Sequence, residues 1–460
     1  MSVKKYFGTD GIRETYGVTP MTPEFLYQAG RAVASLYPSL SLSAPTVVVG
    51  RDTRDSGPVL EAAFCQGVLD GGGSCLRIGI LPTAAISLMT CHVQAPIGAM
   101  ISASHNPHHD NGIKFFNSKG HKLTDEEEWA IEKSIDQQCR LALPHLEDPA
   151  LLGHSTKALS IYSEHLRRCL PAEVELSGIR LIVDVAHGAA YQSSPEILRN
   201  LGCEVIPLHD QPTGTNINHL AGSQHPESAC QVVIKNNQGI TGNSWIGLCH
   251  DGDADRLLLI DEKGVPLDGD EMLAILADRM LRDGKLKHNT LVVTVMSNLG
   301  LDELMSQRHG RLVRTPVGDR HVMQALAEGG YSLGGEQSGH VVFPDLMPTG
   351  DGLLTALQVL LALKTSGLRL YQARNLLHRY PQKLFNIPVR EKRKLEELPQ
   401  IVSALHEAEQ KLGTRGRVYI RYSGTENVVR ILIEAREASL LEDLAPTLCE
   451  AVKSSIGAGS

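Results

Sequence analysis

The chain has no Cys-x-x-Cys pair and no apolar run long enough to cross a bilayer. It also lacks any excess of basic charge. Its nine cysteines are scattered and odd in number, which fits free thiols in a reducing compartment and not a disulfide framework. The opening Met1-Ser2-Val3-Lys4-Lys5-Tyr6 carries no apolar h-region, so no secretory signal is expected. The most apolar helical stretch, residues 353–363, is too short for a span, so no membrane partner is expected. A formal charge of −8 and a pI near 6.2 argue against nucleic acid as a partner. An anionic small molecule stays open, because a local arginine cluster overcomes a mild global charge. A cytoplasmic globular protein is the expectation.

What the chain does have is three carboxylates at every second position in Asp251-Gly252-Asp253-Ala254-Asp255-Arg256, between apolar runs at 245–249 and 257–260. In an extended strand these side chains would splay to opposite faces. They converge only if the backbone curls, which the small Gly252 and Ala254 permit. Three oxygen ligands in a curled loop suit one hard cation such as Mg²⁺, with room left for a phosphate oxygen. A solvated acidic turn is the plainer reading, but it seldom sits between two buried strands. An EF-hand needs glycine at its sixth position, where Arg256 stands, and a following helix, where 257–260 reads as strand.

At 460 residues the length allows about three domains. A strand–turn–helix–Gly–strand pattern recurs three times. Its members are strand 46–50, helix 58–69 and strand 75–80; strand 181–185, helix 195–201 and strand 203–208; and strand 291–295, helix 301–308 and strand 311–316. The spacing predicts three similar α/β domains with mixed sheets. From about 380 the pattern changes to strand 383–389, helix 398–412, strands 417–421 and 428–434, and a helix over 440–452, an α+β module. No Pro- or Ser-rich tract separates the units, and boundaries are placed at 1–150, 151–262, 263–378 and 379–460, with the active site in a central cleft.

Three further loops look chemical. Ile101-Ser102-Ala103-Ser104-His105-Asn106-Pro107 puts Ser104 on a turn at a strand end, followed by Lys114 in a short strand over 113–116. Ser104 reads as a turn residue or as a nucleophile, although no G-x-S-x-G elbow surrounds it and the adjacent His105 is badly placed as its base. His105, His108 and His109 match no zinc spacing. Lys114 is either a snorkelling lysine or a proton shuttle, the latter if nearby positive charge lowers its pKa. Gly334-Gly335-Glu336-Gln337-Ser338-Gly339-His340 offers groups that bind vicinal hydroxyls, a weak signal alone. Arg421-Tyr422-Ser423-Gly424-Thr425-Glu426-Asn427, with Arg430, makes either a hairpin turn or a nest for a phosphate dianion.

Together the four loops, in this order, resemble those of the α-D-phosphohexomutase superfamily. Tyr6-Phe7-Gly8-Thr9-Asp10-Gly11-Ile12-Arg13, Val317-Gly318-Asp319-Arg320 and Pro348-Thr349-Gly350-Asp351-Gly352 add to the likeness, which covers nearly the whole chain. The resemblance implies an enzyme that moves phosphate between O6 and O1 of a hexose, in the branch acting on glucosamine 6-phosphate. It implies a phosphoserine at Ser104 and one Mg²⁺ held by Asp251, Asp253, Asp255 and the phosphate on Ser104. It implies sugar contacts from Glu336 and Ser338, and a phosphate clamp of Arg421, Ser423, Gly424, Thr425 and Arg430. Arg13, Lys114 and His340 would line the reacting end with Arg256 and Arg320 nearby, Lys114 transferring the proton. A hexose 1,6-bisphosphate activator, an activating kinase and a monomer or homodimer are further implications. Glu14, Ala254, Tyr422 and Asn427 depart from the family pattern.

Overall fold

The computed structural model describes residues 4–39, 45–138, 143–144, 153–240, 242–423 and 427–458. The three repeated units each build a mixed sheet. The first holds β1 (Ile12–Thr15), β2 (Val47–Arg51), β3 (Cys75–Ile80), β4 (Ile97–Ile101), β5 (Asp110–Asn117) and β6 (Gly153–His154) in the order β1-β5-β4-β2-β3-β6. Its helices are α1 (Pro23–Leu36), α2 (Gly57–Asp70), α3 (Thr83–His92) and α4 (Asp125–Gln137), and α5 (Ala158–Arg168) leads out of it. The second holds β7 (Arg180–Asp184), α6 (Ser193–Asn200), β8 (Glu204–Leu208), α7 (Glu227–Asn237), β9 (Trp245–His250), β10 (Leu257–Ile260) and β11 (Pro266–Leu267), ordered β11-β10-β9-β7-β8. The third holds α8 (Gly269–Arg282), β12 (Thr290–Thr294), α9 (Gly300–Gln307), β13 (Arg311–Thr315), α10 (Asp319–Gly329), β14 (Gly334–Gly335), β15 (Val341–Val342), α11 (Gly352–Ser366) and α12 (Leu370–Ala373), ordered β13-β12-β14-β15.

Two expected boundaries shift. β6 pairs with β3, so the first sheet runs past residue 150, and β11 pairs with β10, so the second runs past 262. Both are short edge strands whose membership is decided by pairing, which the local apolar pattern does not carry.

Alternation along the strands explains how three sheets share one interior. Val48 of β2, Leu181 and Val183 of β7, and Leu291 and Val293 of β12 all enter one continuous apolar cluster. Their neighbours point the other way: Val47 and Val49 into the first domain's own layer, Ile182 into the second's and Val292 into the third's. The apolar helix α11 lies in the shared core, and Asp351 caps it by accepting from the Leu353 and Leu354 amides at 2.8 and 3.0 Å. Tyr162, wholly buried on α5, donates its hydroxyl to the same carboxylate at 2.9 Å. No single helix among the described residues is long and apolar enough to cross a membrane. The eight described cysteines are free.

The C-terminal unit is separate in kind. β16 (Gln382–Pro388), β17 (Gly416–Tyr422) and β18 (Val428–Ala435) form an antiparallel sheet ordered β16-β18-β17. It packs with α13 (Pro399–Leu412) and α14 (Ala438–Ile456) around an apolar core of its own. Polar contacts tie it to the third domain: Leu299 N–H donates to Glu434 Oε1 at 2.6 Å and Arg417 Nη2 to the Ser297 carbonyl at 2.6 Å. Arg417 also pairs with Glu434 at 2.8 Å.

Burial pushes the Asp351 carboxyl up to about 6 despite its three donors. That lies above an exposed aspartate, near 3.9. Its stabilising contribution is therefore complete below about pH 4 and lost as pH rises through about 6. Asp351→Asn keeps a capping side chain and removes the titration. Urea melts from pH 4 to 7 are expected to show a flatter stability profile for the variant, by roughly 2–3 kcal/mol across the window.

Candidate active site

β9 and β10 are antiparallel neighbours with Leu257 opposite His250, so residues 251–256 form a tight connection between two buried strands. Ala254 sits at φ +57°, in the left-handed region, and supplies the curl that brings alternate side chains to one side. Asp251, Asp253 and Asp255 are buried and offer ligand oxygens within 4.8 Å of one another. Asp253 Oδ1 and Asp255 Oδ1 are enclosed without a hydrogen-bond partner. Burial and the two neighbouring acids push the Asp251 carboxyl up to about 8. Orphaned oxygens and mutually repelling carboxylates fit a hard divalent cation.

Ser104 arrives at this loop from the first domain. It lies beyond the end of β4, fully buried at φ +52°, and its Oγ donates to Asp251 Oδ2 at 2.7 Å. A hydroxyl and an acid trio about 150 residues apart in sequence thus share one site. Gly252 makes the approach possible: a Cβ there would stand 2.4 Å from the Ser104 carbonyl oxygen. His105 stands closer to the hydroxyl than its adjacency implied, with Nδ1 at 3.4 Å from Ser104 Oγ. Burial and the cations Arg256 and Arg13 pull its pKa down to about 4.

Lys114, on β5, is 1% exposed and surrounded by acids: Asp253 at 2.8 Å, Asp10 at 3.0 Å and Asp255 at 3.2 Å. Burial alone would lower its pKa, but the three carboxylates outweigh this and hold it well above the usual lysine range. The condition set for a neutral shuttle, nearby positive charge lowering the pKa, is reversed here. Asp10 also pairs with Arg13 and with Lys122, and Lys122 with Asp319. His340 stands between Asp319 at 3.7 Å and Asp255 at 3.8 Å; burial opposes its charge, and the two acids overcome burial and raise its pKa. The result is a closed ring, Asp255–Lys114–Asp10–Lys122–Asp319–His340, drawn from three domains.

Asp10, Lys122 and Asp319 were not among the expected site residues. Asp10 and Asp319 lie inside motifs used only for resemblance, and Lys122 has no sequence signal. Arg320 directs its guanidinium to Asp125 and Glu128 of α4. Residues 319 and 320 open α10, where successive side chains diverge by about 100°.

Arg256 faces Asp255 at 3.8 Å and is held protonated by Asp255, Asp251, Asp10 and Glu336 against burial. Glu336 accepts from the Gly318 amide at 3.0 Å, and Ser338 is exposed. Their loop rests on the start of β10: Gly339 is at φ +89°, and a Cβ there would lie 2.0 Å from the Leu257 carbonyl oxygen. In the C-terminal sheet Arg421 and Arg430 are register partners, and burial and Arg430 lower the Arg421 pKa. Ser423 is buried, its amide bonded to the Val428 carbonyl at 2.8 Å and its own carbonyl accepting from Lys392 Nζ at 2.8 Å. Gly424 and Thr425 lie outside the described residues.

Comparison with known proteins matches all four units of the fold. Models of the phosphoglucomutase/phosphomannomutase α/β/α domains I, II and III match residues 4–140, 160–264 and 268–380, and the C-terminal domain model matches 384–451. The chain belongs to the phosphoglucomutase/phosphomannomutase family. It is 41% identical over 456 residues to the phosphoglucosamine mutase of Cereibacter sphaeroides, covering 98% of this chain and 99% of that one. Among solved structures it is similar in fold to a family protein from Burkholderia thailandensis (TM-score 0.78, 23% identity, 98% and 97% covered). It is also similar in fold to the Aspergillus fumigatus N-acetylphosphoglucosamine mutase solved with GlcNAc-6P and magnesium (TM-score 0.66, 19% identity, 98% and 96% covered).

The left-handed Ala254 holds a conformation that costs an alanine about 1–2 kcal/mol and a glycine nearly nothing. The larger unfolded-state entropy of glycine and the loss of a methyl buried in the shared core, about 0.8 kcal/mol, oppose that relief. Ala254→Gly is therefore expected to leave stability within about 1 kcal/mol of the unaltered chain, read by thermal melts of the metal-free protein.

Proposed function

We propose that this chain is a phosphoglucosamine mutase, an isomerase interconverting glucosamine 6-phosphate and glucosamine 1-phosphate through phosphorylated Ser104 and a 1,6-bisphosphate. The observation that carries the reading is the 2.7 Å contact of Ser104 Oγ with Asp251 across two domains, beside two further buried acids. The names of the relatives that match along the full length support the choice of sugar. In this reading the enzyme is cytoplasmic, primed by a hexose 1,6-bisphosphate or a kinase.

A divalent cation, Mg²⁺ in this reading, would be held by Asp251, Asp253 and Asp255 and would offset phosphoryl charge during transfer. Ser104 carries the phosphoryl group between the two ends of the sugar. O1 of the sugar attacks phosphorus as the bond to Ser104 Oγ breaks, Lys114 giving its proton to the Ser104 oxygen and taking the one O1 loses. The 6-phosphate of the bisphosphate later returns to the same oxygen as the proton passes back by the same route to O6. Phosphoryl transfer through a loose transition state asks the protein for position and positive charge. Arg13, Lys114 and Arg256 supply that charge, with His340 favoured toward its charged form by Asp255 and Asp319 and Lys114 entering as an acid. Glu336 and Ser338 would receive the hydroxyls, and Arg421 and Arg430 the phosphate that is not reacting.

Ser104→Ala is expected to abolish turnover of glucosamine 6-phosphate and the uptake of phosphate from glucose 1,6-bisphosphate, followed by intact mass. Mutase activity surviving in that variant ends the proposal. Turnover of glucose or mannose 6-phosphate faster than glucosamine 6-phosphate would keep the chemistry and move the substrate. Arg421→Ala is expected to raise KM by roughly 10- to 150-fold, the loss of one charged hydrogen bond of about 1.5–3 kcal/mol. An unchanged KM removes the C-terminal loop from the site.

A further inference from the structure

Arg54 is 0% exposed, and all five of its N–H donors are spent on one small region. Nε reaches Asp52 Oδ2 at 3.0 Å. Nη1 reaches the carbonyls of Pro107 and, at 2.9 Å, Asp110; Nη2 reaches those of Ser104 at 3.1 Å and Asn106 at 2.8 Å. Asp52 takes the Ser102 hydroxyl at 2.6 Å, and that hydroxyl oxygen accepts the Ser104 amide at 2.9 Å. The Asp52–Arg54 pair therefore grips the peptide groups on both sides of Ser104. From the second domain, Asn218 Nδ2 donates to two of the same carbonyls, Ser104 at 2.8 Å and Asn106 at 3.0 Å. Asn218 is itself left-handed, at φ +58°, and its amide is fixed to the Ala186 carbonyl at 3.0 Å.

We propose that Arg54 and Asn218 form a two-sided clamp on the Ser104 loop that sets the rate of phosphoryl transfer by fixing Ser104 Oγ against the metal loop. Both are positioning residues; each contacts the loop backbone and not the reacting atoms. Ser104 holds a left-handed backbone that a serine adopts only when its surroundings impose it. The clamp is what imposes it. Arg54 acts from within the first domain, while Asn218 registers the loop on the second, where Gly252 leaves only 2.4 Å between a built Cβ and the Ser104 carbonyl oxygen. A loop released on the Asn218 side would keep its serine and its substrate contacts and lose the aim of the hydroxyl. The inference rests on the mutase reading above.

The deciding variant is Asn218→Gly, which accepts the left-handed backbone freely and deletes only the amide. Measured in the full chain with Mg²⁺, glucose 1,6-bisphosphate and glucosamine 6-phosphate, kcat is expected to fall about 10- to 100-fold with KM within twofold. Ser104 loaded from the bisphosphate is expected to lose its phosphate to water faster than in the unaltered chain, followed by intact mass. Arg54→Lys, which keeps the charge but not the planar fork, is expected to shift kcat in the same direction. Full kcat in Asn218→Gly, a change confined to KM, or a kcat loss that disappears at a temperature where the variant is wholly folded overturns the clamp. If the unaltered chain takes no phosphate on Ser104, the mutase reading fails. If it does and Asn218→Gly turns over normally, the clamp alone fails.

Discussion

Six charges in alternation, three of them buried and three half-buried, hold the centre of this molecule. Asp255, Lys114, Asp10, Lys122, Asp319 and His340 close on themselves, each acid between two bases and each base between two acids. A single ion this deep is costly, and removing one partner of a buried pair is strongly destabilising because it strands the other. A closed ring leaves no end group stranded. Because its members come from three domains, it also ties domain placement to charge balance. The same arrangement raises the pKa of Lys114 and of His340, so the polar centre is both a structural joint and a place where positive charge is favoured beside the acids.

Around that joint the apolar packing is continuous. Each of the three parallel-stranded cores sends alternate side chains into a common interior and the rest into a layer of its own. This was legible in the chain, because alternation, Gly-terminated helices and apolar runs are local signals. The strands and helices of the three repeats fall within a few residues of the expected positions, and the hairpin between β9 and β10 brings the three aspartates together as the curled-loop argument required.

What stayed hidden depends on partners far along the chain. Lys122 is an ordinary lysine until Asp10 and Asp319 are placed beside it. The sign of the Lys114 shift follows from three carboxylates contributed by two domains. Arg54 reads as part of a polar turn after β2, and only the folded chain shows it inside the Ser104 loop. Arg320 likewise finds its partners, Asp125 and Glu128 of α4, only in the folded chain. Backbone strain is equally invisible in sequence. Ser104, Ala186, His187, Asn218 and Ala254 are all left-handed and gather where the first two domains meet, as strained residues do at functional sites.

The fourth unit stands apart from this economy. Its apolar interior is closed on itself, and it touches the third domain through Glu434, Arg417 and the turn at residues 297–299. A module joined by a handful of replaceable polar links behaves as a cassette. Exchanging it with that of a relative, cut near residue 381 and matched at those links, would replace a whole domain while leaving the ionic hub untouched. Variation in the fourth unit therefore has a route that leaves the buried centre unchanged.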